Sequence, residues 1–295
     1  MINKKVVSII VLYNSNWNLL REVVKEALSQ CSKVFLIDNS TVDNTSIFNS
    51  FFSPSVNLVY RALHDNYGIA YAQNFGLKLI KDEGYEYVIF FDQDSVPGKG
   101  MVETLLNDLI YLKSKNIKVS TIGPIPINSE TNQPYEARLI KNKQLDIDGL
   151  VFIPVKQIIS SGGLMLVSIF DEVGGFDELL FIDGVDHEWC WRAGTHGYTV
   201  FLSPRSKLVH RLGEGDKKIL GIKIATTSSF RLFYQFRNYV VLCSRNYVPF
   251  YWKFNNLIKY CVKMVYYPLI YKDLGVLRRI FSGIREGVKI ANRGK

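Results

Sequence analysis

A doubly wound α/β domain followed by a helical, basic extension is the fold predicted for this 295-residue chain. Three features predict it. Short apolar runs rich in β-branched and aromatic residues alternate with stretches of helical periodicity, joined by short links. Several of the runs end in a carboxylate. After about residue 204 the charge balance inverts and aromatic residues crowd together.

Taken in order, Val6–Leu12 reads as a first strand. Its apolar run after Lys4-Lys5 mimics a signal peptide, but Asn14-Ser15-Asn16 follows with no small-residue cleavage site. Trp17–Leu28 carries Leu20, Val23, Val24, Ala27 and Leu28 at helical spacing. Val34–Asp38 is a second strand, Thr45–Phe52 a short helix and Leu58–Ala62 a third strand. The segment 66–76 opens a helix leading into Tyr87–Asp92, a run apolar enough to be buried on both faces of a parallel sheet. A helix over Gly98–Leu112, a strand over Val119–Gly123 and an irregular or hairpin-like 128–156 come next. Ile158–Val167 reads as a strand with Gly162-Gly163 at its start, either a close approach in a binding cleft or a bulge. A helix starts within Phe181–Arg192, and Thr199–Leu202 is a short last strand.

The chain is long enough for one large or two modest domains. The expected boundary falls near residue 215, giving a domain over 1–215 and a helical region over 216–295. Residues 1–204 carry a net charge of −6 and residues 205–295 carry +15, so the tail seeks an anionic partner, nucleic acid or membrane. Phe230–Tyr271 holds 14 of the 39 aromatics interleaved with Lys and Arg, and reads as two or three helices. Pro249 is placed in a first turn, and Pro268 ends or kinks a helix. No apolar run approaches a membrane span. Cys31, Cys190, Cys243 and Cys261 form no metal-type spacing and are expected as buried free thiols in a reducing cytosol.

Asp92-Gln93-Asp94 closes the Tyr87–Asp92 strand. Residues two apart in extended chain point the same way, so both carboxylates can face one hard cation such as Mg²⁺ or Mn²⁺. The competing reading is a solvated turn.

Five stretches together resemble the family-2 glycosyltransferases of the GT-A fold, over about residues 5–212: Val11-Leu-Tyr-Asn14, Ile37-Asp-Asn-Ser40, Gly68-Ile-Ala-Tyr-Ala-Gln-Asn74, Phe91-Asp-Gln-Asp-Ser95 and Phe181–Arg192. Within that family the wording is most similar to bacterial rhamnosyltransferases of O-antigen and capsule assembly. The resemblance implies a GT-A domain with a mostly parallel sheet and a metal-dependent, inverting transfer. The implied donor is dTDP-L-rhamnose, with a UDP-sugar donor as the alternative. Tyr13 and Asp38 would hold the base, and Asn66, Gly68, Asn74, Asp92 and Gln93 the rest of the nucleotide sugar. Asp92, Asp94 and His210 would hold Mg²⁺ or Mn²⁺, and Asp186 would be the general base. Each has a plainer reading. Asp38 can start a turn, Asn66 and Asn74 can cap and decorate a helix, and His210 can lie at the surface. Asp183 can be an N-cap with Asp186 in the first helical turn. Relatives often carry Glu-Asp where this chain has Val185-Asp186, leaving Asp186 as the only fitting base and Glu188 as a partner for Arg192. An Arg-Asn pair, Arg237-Asn238, also resembles the subgroup but has no chemistry assigned to it.

The acceptor implied is a polyprenyl-linked or polysaccharide hydroxyl, reached by peripheral contact of the basic tail with an anionic membrane at the inner face of the cell membrane. The same helices are alternatively a homodimer interface, or a pack covering the sheet. Asp92-Gln-Asp94-Ser-Val96 also satisfies a haloacid-dehalogenase-like phosphatase signature, but that family places it on the domain's first strand. A nucleic-acid-binding reading of the tail leaves the acidic two-thirds unexplained; no nucleic-acid partner is expected.

Overall fold

The computed structural model describes residues 3–128, 133–134, 144–210, 216–219, 222–225, 228–271, 273 and 275–293, with backbone only at 3–5, 210, 216–219 and 222–225. A nine-stranded sheet forms the centre, in the order β3-β2-β1-β4-β8-β5-β9-β7-β6. Its strands are β1 (Asn3–Leu12), β2 (Cys31–Asp38), β3 (Leu58–Ala62), β4 (Tyr87–Asp92), β5 (Val119–Asn128), β6 (Leu145–Ile147), β7 (Leu150–Val155), β8 (Leu164–Leu166) and β9 (Thr199–His210). β1, β2, β3 and β4 run parallel, as do β5 and β9, while β8 pairs antiparallel to both β4 and β5. The hairpin of β6 and β7 closes the far edge antiparallel to β9.

The sheet is covered on both faces, which explains why its strands read as unbroken apolar runs. Along β1, Val6, Ile10 and Leu12 pack with Leu20, Val23 and Val24 of α1 (Trp17–Gln30) and with Leu105 and Leu109 of α4 (Met101–Ser114). Val7 and Ile9, pointing the other way, pack with Ala70 and Ile80 of α3 (Ile69–Asp82) and with Trp189 of α6 (Val185–Thr195). Two short helices, α2 (Thr45–Phe51) and α5 (Ile169–Val173), complete this part.

The sequence reading and the structure differ where backbone pairing decides. The strand expected over 158–167 pairs as β8 only at Leu164–Leu166, because Gly162 turns left-handed at φ 78° just before it. The last strand is far longer than Thr199–Leu202. β9 continues past Pro204 because its ladder with β5 jumps from Pro124↔Ser203 to Ile125↔Lys207, bulging out the proline, which has no N–H to donate. Cys31 and Cys190 are buried, and burial pushes both thiols up to about 12. Cys243 and Cys261, also expected buried, are partly exposed and exposed respectively.

Beyond a small hairpin, β10 (Asp216–Ile219) and β11 (Ile222–Ala225), three helices follow: α7 (Ser229–Ser244), α8 (Phe250–Tyr271) and α9 (Gly275–Arg293). Pro249 immediately precedes α8 and its carbonyl accepts from the N–H groups of Trp252 and Lys253, whereas Pro268 lies within the helix. The boundary segment 211–215 lies outside the described residues. Val241 and Leu242 of α7 share one buried cluster with Trp189 and the sheet, so this helix packs into the core of the preceding part. On its other side α7 meets α9 at Gly283 and Gly287; a Cβ on Gly287 would stand 2.7 Å from the Arg237 carbonyl and 2.8 Å from Val240 Cβ. Gly287→Ala should therefore lower stability by about 1–3 kcal/mol in urea unfolding through overpacking. Gly194→Ala, facing open space on α6, should leave stability unchanged or raise it by about 0.5–1 kcal/mol.

Candidate active site

Strand order reverses between β2 and β4 on either side of β1, and in open α/β sheets ligands bind beyond the strand ends at such a point. The register sets Asp38 opposite Leu12 and Asp92 opposite Val11, so the two acids flank the end of β1 about two strand spacings, roughly 10 Å, apart. Asp38 is buried, and its carboxylate accepts from the Ser40 N–H (3.0 Å), Asn44 Nδ2 (2.9 Å) and the Tyr60 hydroxyl (2.7 Å). Burial first, and then Asp38, raises the Tyr60 pKa, keeping that hydroxyl a donor. The Asp38–Ser40 bond is the turn of the plainer reading, but a carboxylate has about four acceptor sites, and the described residues fill three. Tyr13 lies exposed at the end of β1. Its backbone is clipped to Gln93, whose Oε1 accepts from the Tyr13 N–H (2.9 Å) and whose Nε2 donates to the Tyr13 carbonyl (3.1 Å). The Gln93 amide thus ties the end of β1 to that of β4.

The turn before α3 is knitted by amides. Asn39 Nδ2 and the Gly68 N–H both donate to Asn66 Oδ1, at 2.9 and 3.1 Å, and the Tyr67 N–H donates to Asn39 Oδ1. Gly68 has φ 87°, and a Cβ there would stand 2.6 Å from the Phe181 carbonyl, so this position requires glycine on both counts. Asn74 points elsewhere: its amide exchanges bonds with the backbone of Phe176 and reaches Glu178.

Asp92 and Asp186, 94 positions apart, meet through two consecutive serines. The Asp92 N–H donates to Ser161 Oγ (3.1 Å), and the Ser160 N–H donates to Asp186 Oδ2 (3.2 Å). In the residue order Ser160-Ser161 shows only as a polar pair ahead of the two glycines, too weak a signal to mark it. Asp186 is half-buried, and its other oxygen accepts from the His187 N–H. Asp94 is exposed beside the partly exposed Asp92. The backbone of His210 ends β9 opposite Asn128, and its side chain lies outside the described residues. Asp183 is not the N-cap of α6. Gly184 takes that place at φ 85°, and the Asp183 carboxylate turns to Arg231. Glu188 does pair with Arg192, at 2.8 Å, and also accepts from the Tyr247 hydroxyl at 2.6 Å.

Helix α7 explains the Arg237-Asn238 pair. The buried Asn238 Nδ2 donates among the carbonyls of Leu180 (2.7 Å), Ile182 (2.7 Å) and Asp183 (3.0 Å), while its Oδ1 accepts from Arg237 Nε. Arg237 Nη2 reaches the carbonyls of Leu179 and Leu180, and its guanidinium lies over the Tyr234 ring, which stacks on Phe181. Phe181 in turn accepts from the Ile69 N–H at 2.7 Å. The loop leading to Asp186, with Phe181 at φ 62° and Asp183 at φ 67°, is thus held from both sides. Arg231 and Asn238, two helical turns apart, lie on one face of α7; that spacing was the signal available in the sequence. Asn238→Ala orphans these buried carbonyls and should cost about 1–3 kcal/mol in denaturant unfolding, with transferase activity falling as the loop loosens.

Comparison with known proteins places the fold and the family. Residues 8–174 match the family described as glycosyl transferase family 2. The chain is 34% identical over 253 residues to the dTDP-rhamnosyl transferase RfbF of Shigella flexneri, covering 84% of this chain and 82% of that one. Two solved structures share the fold. The mannosyltransferase PcManGT of Pyrobaculum calidifontis, in complex with GDP-Man and Mn²⁺, has a TM-score of 0.58 at 14% identity, covering 97% of this chain and 75% of that one. GalNAc-T7 with UDP, GalNAc and Mn²⁺ has a TM-score of 0.53 at 16% identity, covering 91% of this chain; the present chain spans 58% of that protein. The phosphatase alternative is overturned, since its motif belongs on a first strand and here it ends the fourth. The chain belongs to glycosyl transferase family 2 and is a nucleotide-sugar glycosyltransferase of the GT-A fold.

Proposed function

We propose that the chain transfers L-rhamnose from dTDP-L-rhamnose, with inversion, to a hydroxyl of a lipid-linked or polysaccharide acceptor. The observation that carries the mechanism is the Ser160-Ser161 link holding Asp186 beside the strand end that bears Asp92. Likeness to the Shigella dTDP-rhamnosyl transferase supports the donor. Asp38 offers its remaining acceptor site to the imide N–H of thymine or uracil, with Tyr13 beside the base, and Asn66 and Gly68 shape the adjoining turn. Asp186 takes the proton of the acceptor hydroxyl while that oxygen attacks the anomeric carbon opposite the departing diphosphate; a single displacement inverts the centre. Among the described residues no three His, Cys, Asp or Glu side chains form a metal site. Two carboxylates at one strand end are nevertheless the donor chemistry of Mg²⁺ or Mn²⁺, which commonly completes its shell with substrate phosphates and water. Asp92 and Asp94, with His210 at the end of β9, would hold such an ion, which when bound would neutralise charge on the leaving group.

The mutational test reads turnover and donor affinity separately. Asp186→Asn should reduce transfer by about 10²–10⁴-fold with donor affinity nearly intact. Asp94→Ala should lose the Mn²⁺-dependent part of donor stabilisation in a thermal-shift panel of dTDP-rhamnose, UDP-glucose and UDP-galactose. Undiminished turnover by Asp186→Asn removes the base assignment, and stabilisation by a UDP-sugar alone reassigns the donor.

No described helix is long and apolar enough to cross a membrane. Along α8, however, Phe254, Leu257, Ile258, Val262, Val265 and Leu269 are each 48–72% exposed. At 100° per residue they fall within an arc of about 140° on a helix about 33 Å long. An exposed apolar face of this extent, in a region of net charge +15, fits the interface of an anionic bilayer. Cys261 lies on the same face. In a Cys243→Ala background, a polarity-sensitive dye on Cys261 should shift blue with phosphatidylglycerol vesicles and not with phosphatidylcholine vesicles. Ile258→Asp/Val262→Asp should abolish the shift. A shift absent with both vesicles, together with a dimer by light scattering, would assign the face to a second copy.

A further inference from the structure

Arg231 sits in the first turn of α7, where Ser228 Oγ accepts from its backbone N–H. One edge of its guanidinium is committed: Nε donates to both oxygens of Asp183 at 3.0 and 2.9 Å, and Nη2 donates to Oδ1 at 2.6 Å. The Nη1 edge has no hydrogen-bond partner among the described residues, and half the side chain is exposed. The bonds to Asp183, and after them the charges of Asp183, Asp186 and Asp92, hold the guanidinium above its ordinary value against the opposing effect of burial. The fork on Asp183 anchors Arg231 to the loop that carries Asp186 three residues later, and the Ser160-Ser161 segment links Asp186 to the end of β4.

We propose that the open edge of Arg231 binds the diphosphate of the donor, making Arg231 a substrate-contacting residue of the transfer, with Asp183 setting the orientation of the fork. A cleft lined by Asp92, Asp94, Asp183 and Asp186 repels a diphosphate unless cations face it. A planar guanidinium held by one edge is pre-organised to bind phosphate oxygens with the other. Asp183 offsets part of the Arg231 charge, and the α7 N-terminus adds a fraction of positive charge at the same spot. The role of Asp183 follows too: it fixes Arg231 rather than capping α6 or assisting Asp186.

This inference rests on the nucleotide-sugar reading of the cleft, and the experiment separates the two. Titrations of the full chain with Mn²⁺ compare dTDP with dTMP, and UDP with UMP. In the wild type the diphosphates should bind more tightly. Arg231→Gln should weaken the diphosphate by about 10- to 100-fold and the monophosphate by much less, so the affinity ratio collapses. Arg231→Lys should restore part of it. Because Arg231→Gln strands Asp183, the double variant Asp183→Asn/Arg231→Gln keeps the pair neutral and should show the same collapse with an unchanged fold. Asp183→Asn alone, with Arg231 intact, should keep the preference for diphosphate. An unchanged ratio in folded Arg231→Gln or in the double variant overturns the proposal and leaves Arg231 a structural counter-ion. Failure of the wild type to bind any of the four nucleotides would overturn the donor reading, and this proposal with it.

Discussion

Two neighbouring serines hold the cleft together. Ser161 Oγ accepts the Asp92 N–H at the end of β4, and Ser160 donates its own N–H to the Asp186 carboxylate. The turn that follows must come close to the sheet: Gly162 adopts a left-handed φ of 78° where a Cβ would stand 2.8 Å from Pro124, and its N–H donates to the Phe90 carbonyl at 2.7 Å. No side chain fits there. That backbone approach links two acids from separate elements, Asp92 at the end of β4 and Asp186 on α6, through one short segment.

A second layer fixes the loop that delivers Asp186. It runs between the start of α3, through Ile69 and Phe181, and the flank of α7, through Asn238, Arg237 and Arg231. Non-glycine residues at positive φ cost free energy, on the order of 1–3 kcal/mol each, and persist only where surroundings over-determine them. Phe181 and Asp183 are held in this way by carbonyl contacts and ring stacking. The Ile69 N–H bond to the Phe181 carbonyl also couples this loop to the Gly68 turn, so the loop and the start of α3 share one set of hydrogen bonds. Helix α7 lies beyond residues 8–174, yet contributes both to the core and to the anchoring of the 179–183 loop.

Charge follows the same division of labour. The acids gather at the strand ends, while the tail carries the positive excess and, on α8, an apolar face turned to solvent. Aromatic residues of α7 and α8 divide between two tasks. Phe236 and Tyr267 are buried among the three tail helices with the partly buried Tyr260 against them, whereas Phe250 and Phe254 face outward.

Much of this protein is determined by local sequence. The unbroken runs of β1, β2 and β4 can be buried only on both faces, and the helical spacing of Leu20, Val23 and Val24 admits one buried side. The α/β layering and the acids closing β2 and β4 are therefore legible in the order of residues alone. Side-chain period and burial are properties of neighbouring residues. What those residues touch is not. Gln93 and Asn74 look like ligand-binding amides in isolation, but their bonds to Tyr13 and Phe176 cross 80 and 102 positions. Asp183 reads as a helix cap until an arginine 48 positions away takes its carboxylate. The length of β9 depends on a ladder with β5 that can bulge past a proline. Hydrogen-bond partners are chosen by whichever polar group the completed fold brings within about 3 Å, and that choice belongs to the tertiary structure alone.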